Sequence, residues 1–350
     1  MKKLLLFFCL FCAFTLSAQN LEGTVFDQNN KPMPAVSVYL DGTTLGTSTD
    51  SNGKYTIYVN SKINTNLVFR CIGYETFYVA NPFQNNSQQI FMTLKQEALD
   101  EVIIKNDGFS RKDKLTVFRA TFLGYTKAGK SCTIKNEDDI NFKYNFKTNT
   151  LFASSDNPLI IENDYLEYEV LFDIYSFQVN FSKKSIVPHD IIRSSFLGTT
   201  NYNDVNKSKK ITKKRDQVYY GSSKHFFKNL SNNIWNKNEF LLFKGKYQTD
   251  PKFHFKIEEE NGAKKVTILQ NEIKAGLLKK VDYEFYAAFN ILYNKSDSSK
   301  IIFYTPTFLV DDFGNTSNIS DIEFGGVLST QKVGDMLPLD YVPVKKWNAW

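Results

Sequence analysis

Short β-prone runs alternate with turn-forming clusters between residues 21 and 95, and this alternation limits the possible fold more than any other feature. Glycine and Asx residues accept the backbone angles of tight hairpin turns at little cost, so their clusters mark strand ends. About seven strands in this span, with turns every 8–12 residues, predict an antiparallel β-sandwich. The predicted fold-defining turn residues are Gly23, Asp41, Gly42, Asp50, Gly53 and Gly73.

The order and spacing of these residues resemble the carboxypeptidase regulatory-like domain. The matching residues are Gly23, Val25, Asp27, Pro34, Val36, Val38, Gly42, Thr43, Thr49, Asp50, Gly53, Tyr55, Ile57, Gly73 and Tyr74. The resemblance implies a seven-stranded, transthyretin-like, Ig-type sandwich over residues 21–95. Such domains are similar to N-terminal extensions of Gram-negative envelope proteins, including TonB-dependent polysaccharide-uptake receptors. In the family this module is an accessory fold and not the catalytic part.

The first 18 residues have the pattern of a secretory signal peptide. Lys2 and Lys3 precede an apolar run, and Ser17-Ala18 form a small-residue cleavage zone. The run is too short and wrongly flanked for a membrane-spanning helix, and no later stretch approaches 18 consecutive apolar residues. We therefore expect an exported protein of the periplasm or outer membrane, without a transmembrane helix after cleavage.

The charge of the chain is mildly positive. The formal net charge is +6, and loss of the two N-terminal lysines would lower it to about +4, which does not favour nucleic acid as a partner. The densest basic run is Lys207–Arg215. One interpretation is a solvated loop or strand edge, and the other is contact with anionic lipid headgroups or polysaccharide.

Two cysteines, Cys71 and Cys132, remain once the signal peptide is removed. Two cysteines far apart in the sequence do not make a disulfide framework, although the predicted compartment permits one. Cys71 lies in an apolar run and is predicted to be a small core residue. A bridge between the two cysteines stays open as an alternative.

Residues 96–109 are predicted to be a linker strand, and residues 110–345 a β-rich (α+β) domain. Leu99–Ile104 resemble the segment that includes the TonB-contacting box of TonB-dependent receptors. Segments of the larger domain resemble uncharacterised exported proteins that carry the same N-terminal sandwich, which implies no activity. Apolar residues at helical spacing predict one amphipathic helix near 220–235, with Ser222 or Ser223 as its N-cap.

The three histidines, His189, His225 and His254, give no zinc-binding spacing. A zinc carboxypeptidase needs His and Glu on one element plus a distant His, so we expect no metal and no cofactor. The one weak catalytic candidate is His225 with Ser222, three residues apart on the predicted helix. No third orienting group can be named, and a helical histidine that satisfies a buried partner is the simpler interpretation.

These observations predict a non-enzymatic, exported envelope protein that binds or scaffolds a protein or polysaccharide partner. An outer-membrane β-barrel, or a component related to TonB-dependent receptors, is the alternative, because the chain ends in Trp350 and has many aromatic strands. A hydrolase that uses His225 is the second alternative.

Overall fold

The computed structural model describes residues 19–84, 87–95, 107–269 and 286–344. The predicted signal peptide lies outside the described residues, as does most of the predicted linker strand. The described part of that linker, residues 107–109, is a bend and not a strand, because Gly108 has a φ of 70°. The described residues form two compact units, one within residues 19–39 and 45–95 and the other within residues 40–44 and 107–344.

The first unit is a two-sheet sandwich. Its seven strands are β1 (Gln19–Phe26), β2 (Ser37–Leu40), β3 (Gly46–Ser48), β4 (Lys54–Val59), β5 (Leu67–Arg70), β6 (Phe77–Val79) and β7 (Ser87–Phe91). One sheet has the order β4-β1-β7 and the other β3-β2-β5-β6. The predicted fold class is confirmed, but β1 and β7 pair in parallel. Since β7 follows a strand of the other sheet, no hairpin forces it to run antiparallel to β1.

The alternation of β4 shows why this sequence forms a sandwich. Tyr55, Ile57 and Val59 are buried, whereas the intervening Tyr58 is 71% exposed. Successive side chains of a strand point to opposite faces, so one face of β4 lies in the core. The Tyr55 ring meets the Phe69 ring of β5 edge-on, with 5.3 Å between centroids, and this contact joins the two sheets.

Gly23 was wrongly predicted to be a turn residue. It lies within β1, opposite Tyr55 of β4. A Cβ atom at this position would lie 2.1 Å from the carbonyl oxygen of Gln88, so close approach of the neighbouring strand requires glycine here. At Gly42, Gly53 and Gly73 the φ angles are 75°, 72° and 82°, the left-handed region that glycine adopts most easily.

The second unit is β-rich. Within its described residues the helices are α1 (Arg111–Phe122), α2 (Lys127–Lys130), α3 (Lys209–Tyr219) and α4 (Ser223–Ser231). The strands are β8 (Cys132–Ile134), β9 (Ile140–Asn145), β10 (Thr150–Ser155), β11 (Leu159–Asn163), β12 (Tyr168–Phe181), β13 (Ile191–Asp204), β14 (Phe240–Lys244), β15 (Tyr247–Gln248), β16 (Phe255–Glu260), β17 (Ala263–Ile268), β18 (Ala287–Tyr293), β19 (Asp297–Phe303), β20 (Thr307–Val310) and β21 (Ile322–Gly326).

These strands form three sheets around two hydrophobic cores. A six-stranded sheet has the order β8-β11-β12-β10-β9, with β13 paired to β12, and packs against α1 to form the first core. A five-stranded sheet of order β15-β14-β18-β19-β21 and a three-stranded sheet of order β16-β17-β20 share the second core with α4. Phe226, Phe227 and Leu230 of α4 are almost fully buried in this second core.

The helix prediction needs two corrections. The basic run Lys207–Arg215, predicted to be a loop or strand edge, lies largely in α3, because Ile211, Arg215 and Tyr219 recur at helical spacing and are buried. The helix predicted near 220–235 is shorter and ends at Ser231. Its chain then turns at Asn233, whose φ of 55° does not continue a helix.

Both cysteines are free thiols, so the bridge between Cys71 and Cys132 is not formed. Cys71 follows the last residue of β5 and is half-buried, and is therefore not the core residue that was predicted. Burial raises the pKa of the Cys132 thiol to about 12. A thiol with so high a pKa is rarely ionised near neutral pH and is a poor nucleophile.

Candidate functional site

His225, the weak catalytic candidate, lies at the start of α4 within a shell of aromatic rings. The side chain is 4% exposed. Four ring centroids lie 5.1–5.7 Å from the centroid of the imidazole, and they belong to Tyr219, Tyr220, Phe240 and Tyr293. The shell holds the imidazole in a largely apolar setting, in which any polar atom needs a partner.

Both nitrogens of the His225 ring have such partners. The backbone N–H of Gly221 donates to Nδ1 at 3.1 Å, and Nε2 lies 3.0 Å from Oε2 of Glu239. Since Nδ1 accepts a hydrogen bond from the N–H of Gly221, it carries no hydrogen. In the neutral ring Nε2 therefore carries the hydrogen and donates a hydrogen bond to the Glu239 carboxylate. The Ser222 hydroxyl oxygen accepts the backbone N–H of His225 at 3.2 Å and so caps α4. The geometry gives each member of the pair a structural task, and their catalysis stays a prediction.

The tyrosines around His225 are held in their protonated form. Burial raises the pKa of Tyr293 to about 12, and the carboxylate of Glu239 adds to the shift. Burial also raises the pKa of Tyr219 and Tyr220, with further contributions from neighbouring negative charge. These phenols therefore line the shell as neutral groups and are not suited to take protons from a substrate.

The preceding residue of α4, Lys224, holds the segment Pro338–Tyr341. Its Nζ donates to the carbonyl oxygens of Pro338 and Leu339 at 2.8 Å each and of Tyr341 at 3.2 Å. Burial lowers the pKa of the ammonium group to about 7. Because three carbonyls take its three N–H donors, this lysine fixes the chain rather than binding a ligand.

The predicted turn residue Asp41 belongs to the second unit. Its Oδ1 accepts the backbone N–H of Thr200 in β13 at 2.7 Å. Burial raises the pKa of the carboxyl to about 6, against the lowering effect of this hydrogen bond. The other predicted turn aspartate, Asp50, accepts the backbone N–H groups of Asn52 and Lys54 at 2.8 Å each, as an Asx turn does.

An open groove lies beside Trp235, in the chain segment after α4. It is open to solvent, and its volume is about 440 Å³. The groove is lined by Trp235, Leu241, Leu242, Gln248, Thr249, Asp250 and Pro251. We call these seven residues the Trp235 groove. No sequence pattern predicted this groove.

One part of the Trp235 groove is apolar and rigid. The indole of Trp235 meets the Phe226 ring edge-on at 6.0 Å between centroids, so α4 supports it from behind. Leu242 is buried in the second core. Among the residues that the structure describes, no acceptor lies within hydrogen-bond distance of the buried indole Nε1. The groove thus presents an aromatic platform on a packed base.

The other part of the groove carries an amide, a hydroxyl and a carboxylate. Gln248 and Asp250 are exposed. The Thr249 hydroxyl lies 2.9 Å from Nε2 of the buried His254, and Asp250 Oδ1 accepts the backbone N–H of Lys252 at 3.0 Å. These two bonds fix the loop that holds the polar groups. The arrangement can donate to and accept from hydroxyl groups beside an apolar platform.

Neither a metal-binding cluster nor a membrane-spanning helix is found among the described residues. No three His, Cys, Asp or Glu side chains among them cluster closely enough to hold a metal ion. No helix within residues 19–84, 87–95, 107–269 and 286–344 has the length and apolarity required to cross a bilayer.

Comparison with family models assigns the first unit. Residues 21–104 match the model of the CarboxypepD_reg-like domain. This part of the chain is a CarboxypepD_reg-like domain. The resemblance predicted from the turn residues is thereby confirmed, and the match runs to residue 104, beyond the predicted end at 95.

The CarboxypepD_reg-like domain accounts for about a quarter of the chain, and the curated relatives are similar over a comparable stretch. The TonB-dependent receptors P26 and P39 of Formosa agariphila are each 36% identical, over 108 and 113 residues. Each match covers 31% of this chain and 10% of the relative. Among solved structures, a 9R-lipoxygenase from Cyanothece PCC8801 aligns over 63% of this chain at 9% identity, with a TM-score of 0.17.

Proposed function

We propose that this protein is a non-enzymatic, glycan-binding component of the bacterial envelope, and that its second unit binds a neutral oligosaccharide in the Trp235 groove. The observation that carries the proposal is the pairing of a supported indole with Gln248, Thr249 and Asp250 in one open groove. No other groove of the described residues is used in the proposal.

This pairing suits the two kinds of surface on a sugar ring. The C–H groups on one face of a pyranose are apolar and pack on an aromatic plane, as the indole of Trp235 offers. The hydroxyl groups at the ring edge need donors and acceptors, which Gln248 and Thr249 supply. A bound sugar would then satisfy its hydroxyl groups without losing its apolar contact.

The charge and shape of the groove narrow the class of glycan. The carboxylate of Asp250 can accept hydrogen bonds from sugar hydroxyl groups. It also repels other anions, so it favours neutral over acidic sugars. The groove is open to solvent, so we expect it to bind part of an oligosaccharide and leave the rest in solvent.

The envelope part of the proposal has separate support. The chain begins with the pattern of a secretory signal, and its CarboxypepD_reg-like domain is similar to parts of two TonB-dependent receptors. An exported protein with such a domain would meet polysaccharide fragments at the cell surface. The chain spans about a tenth of those relatives, so their whole activity is not transferred to it.

A glycan array with the full-length protein tests the proposal. We expect binding to neutral oligosaccharides, and we expect Trp235→Ala to weaken it at least about thirtyfold, because the stacking surface is lost. Tyr58→Ala removes a 71%-exposed aromatic ring from the first unit and is the matched control, which should bind like the unchanged protein. Bound oligosaccharides should be recovered uncleaved.

Three results would contradict the proposal. One is the absence of binding to any neutral glycan. Another is unchanged binding by Trp235→Ala, and the third is cleavage of the bound glycan that His225→Ala abolishes.

A further inference from the structure

The second unit also carries a strongly basic surface that glycan binding does not use. It consists of lysines on α2, on α3 and in the segment before α3. They are Lys127, Lys130, Lys207, Lys209, Lys210, Lys213 and Lys214. We call these seven residues the lysine surface. All are exposed except Lys214, which is half-buried.

The ring of Tyr165 joins the two helices of the lysine surface. Nζ of Lys127 lies 5.0 Å from the ring centroid and Nζ of Lys214 lies 4.8 Å from it. The two ammonium groups are therefore within about 10 Å of each other, about one Debye length at 0.1 M salt. Their mutual repulsion is incompletely screened at such a distance, and a bound anionic surface would relieve it.

The start of α3 strengthens the positive potential. Lys209 and Lys210 are its first two residues, and its first turn holds no acidic residue. The side chain of Ser208 makes no capping hydrogen bond. The amino end of a helix already carries partial positive charge, so lysines there add to the positive potential and are unfavourable for the helix. Two acidic residues, Asp164 and Glu167, lie near Tyr165 in the sequence, and the side chain of Glu167 accepts a hydrogen bond from the Asn206 amide.

Apolar side chains are exposed next to these lysines. Tyr125 precedes α2 and is 59% exposed, and Val205 precedes α3 and is 65% exposed. The backbone N–H of Val205 donates to the carbonyl oxygen of Glu167 at 3.3 Å, which places Val205 in the same neighbourhood as Tyr165. Lysines beside an exposed tyrosine and valine suit the interface of a bilayer. There the lysine ammonium groups contact lipid phosphates, and the apolar side chains enter the headgroup region. A soluble polyanion would gain nothing from the apolar groups.

We propose that the lysine surface docks the second unit on an anionic lipid membrane. The ammonium groups contact lipid phosphates, and Tyr125 and Val205 enter the headgroup region. Each lysine near such a surface contributes enough attraction to change binding about fivefold. This inference concerns a surface separate from the Trp235 groove and stands whether or not glycan binding is observed.

Sedimentation of the full-length protein with phospholipid vesicles tests the inference. Vesicles of phosphatidylcholine with phosphatidylglycerol should retain the protein at low salt, and vesicles of phosphatidylcholine alone should not. The triple variant Lys207→Glu, Lys209→Glu, Lys210→Glu should lower the vesicle partition coefficient at least about a hundredfold. Acidic residues suit the first turn of α3, so this variant should remain folded.

Two further variants distinguish vesicle binding through the lysine surface from a general effect of net charge. Lys62→Glu, Lys147→Glu, Lys237→Glu changes the net charge equally at exposed positions outside the lysine surface, and should bind vesicles within about threefold of the unchanged protein. Tyr125→Ala should weaken vesicle binding and leave binding to soluble dextran sulfate unchanged. Equal losses in both triple variants, equal binding to neutral vesicles, or dextran sulfate binding without vesicle binding would overturn the inference.

Discussion

Individual side chains in the second unit have tasks that their type alone does not reveal. His225 and Ser222 look like a hydrolytic pair in the sequence, yet the ring of His225 is engaged by Gly221 and Glu239 while Ser222 caps a helix. Trp235 follows the same helix, and its indole lines an open groove. His225, whose side chain could take part in catalysis, is packed in the interior. Trp235, which the sequence suggests is a core residue, lines a groove.

Asp41 provides a prediction about pH. Its folded pKa of about 6 exceeds the ordinary value of 3.8, so the folded state binds more protons between about pH 4 and 6. The free energy of unfolding that Asp41 contributes therefore falls as the pH rises through this window. Asp41→Asn keeps an oxygen for the Thr200 N–H and should stabilise the protein by about 1–3 kcal/mol at pH 7.5.

Denaturant unfolding at several pH values measures this difference. The advantage of Asp41→Asn should shrink below pH 6 and vanish below about pH 4. Asp41→Ala serves as the comparison, because it removes both the charge and the acceptor for Thr200. An Asp41→Asn effect that does not change with pH would show that the carboxyl is not held in the way described.

At the scale of elements, α4 carries His225 and supports the Trp235 groove. It is a short helix of nine residues, and helices of this length depend on their caps and on packing. The Ser222 hydroxyl accepts the backbone N–H of His225, the third residue of α4. The start of α4 thus depends on one side chain.

A pair of single variants tests this dependence. Ser222→Ala should lower the free energy of unfolding by about 1 kcal/mol, since the N-cap hydrogen bond is lost. Ser223→Ala, at the first residue of α4, should change it by less than about 0.5 kcal/mol. Urea denaturation followed by circular dichroism distinguishes the two. Equal losses, or a larger loss in Ser223→Ala, would contradict the assigned cap.

The elements also show which parts of the fold the sequence reveals. The sandwich could be predicted because its Asx and glycine turns are local signals, as at Asp50 and Gly53. The helices α1 and α3 could not, because polar residues interrupt the apolar residues of their buried faces. In α1 the buried Lys114 pairs with Asp107 at 2.6 Å, and in α3 the buried Arg215 pairs with Asp204 at 2.9 Å. Such pairs hide the apolar periodicity on which a helix prediction rests.

The Trp235 groove is harder still to predict. Its lining comes from a loop, from β14, from the end of β15 and from the segment that follows β15, which a sequence of turns and strands does not place together. The signal that could have found it is a tryptophan followed by exposed Tyr247 and Phe253 in a polar stretch. Exposed aromatic residues in loops are more often functional than those in the core.

At the scale of the whole molecule, the two units bear on different questions. The first unit bears on where the protein acts, and the second bears on what it binds. The CarboxypepD_reg-like domain and the predicted signal peptide are compatible with an exported or envelope-associated protein. The second unit supplies the Trp235 groove and the lysine surface. Since these are separate sets of residues, we expect substitutions to abolish the proposed glycan binding and the proposed membrane docking independently.

The most direct test of glycan binding uses the fluorescence of Trp235. The chain contains three tryptophans, and Trp347→Phe with Trp350→Phe leaves Trp235 as the single one. Titration with neutral hexose and xylose oligosaccharides should shift its emission to shorter wavelength and saturate, because a bound sugar excludes water from the groove. Gln248→Ala should weaken binding at least about fivefold through the loss of one hydrogen bond. No change in Trp235 emission across the whole panel would contradict the account.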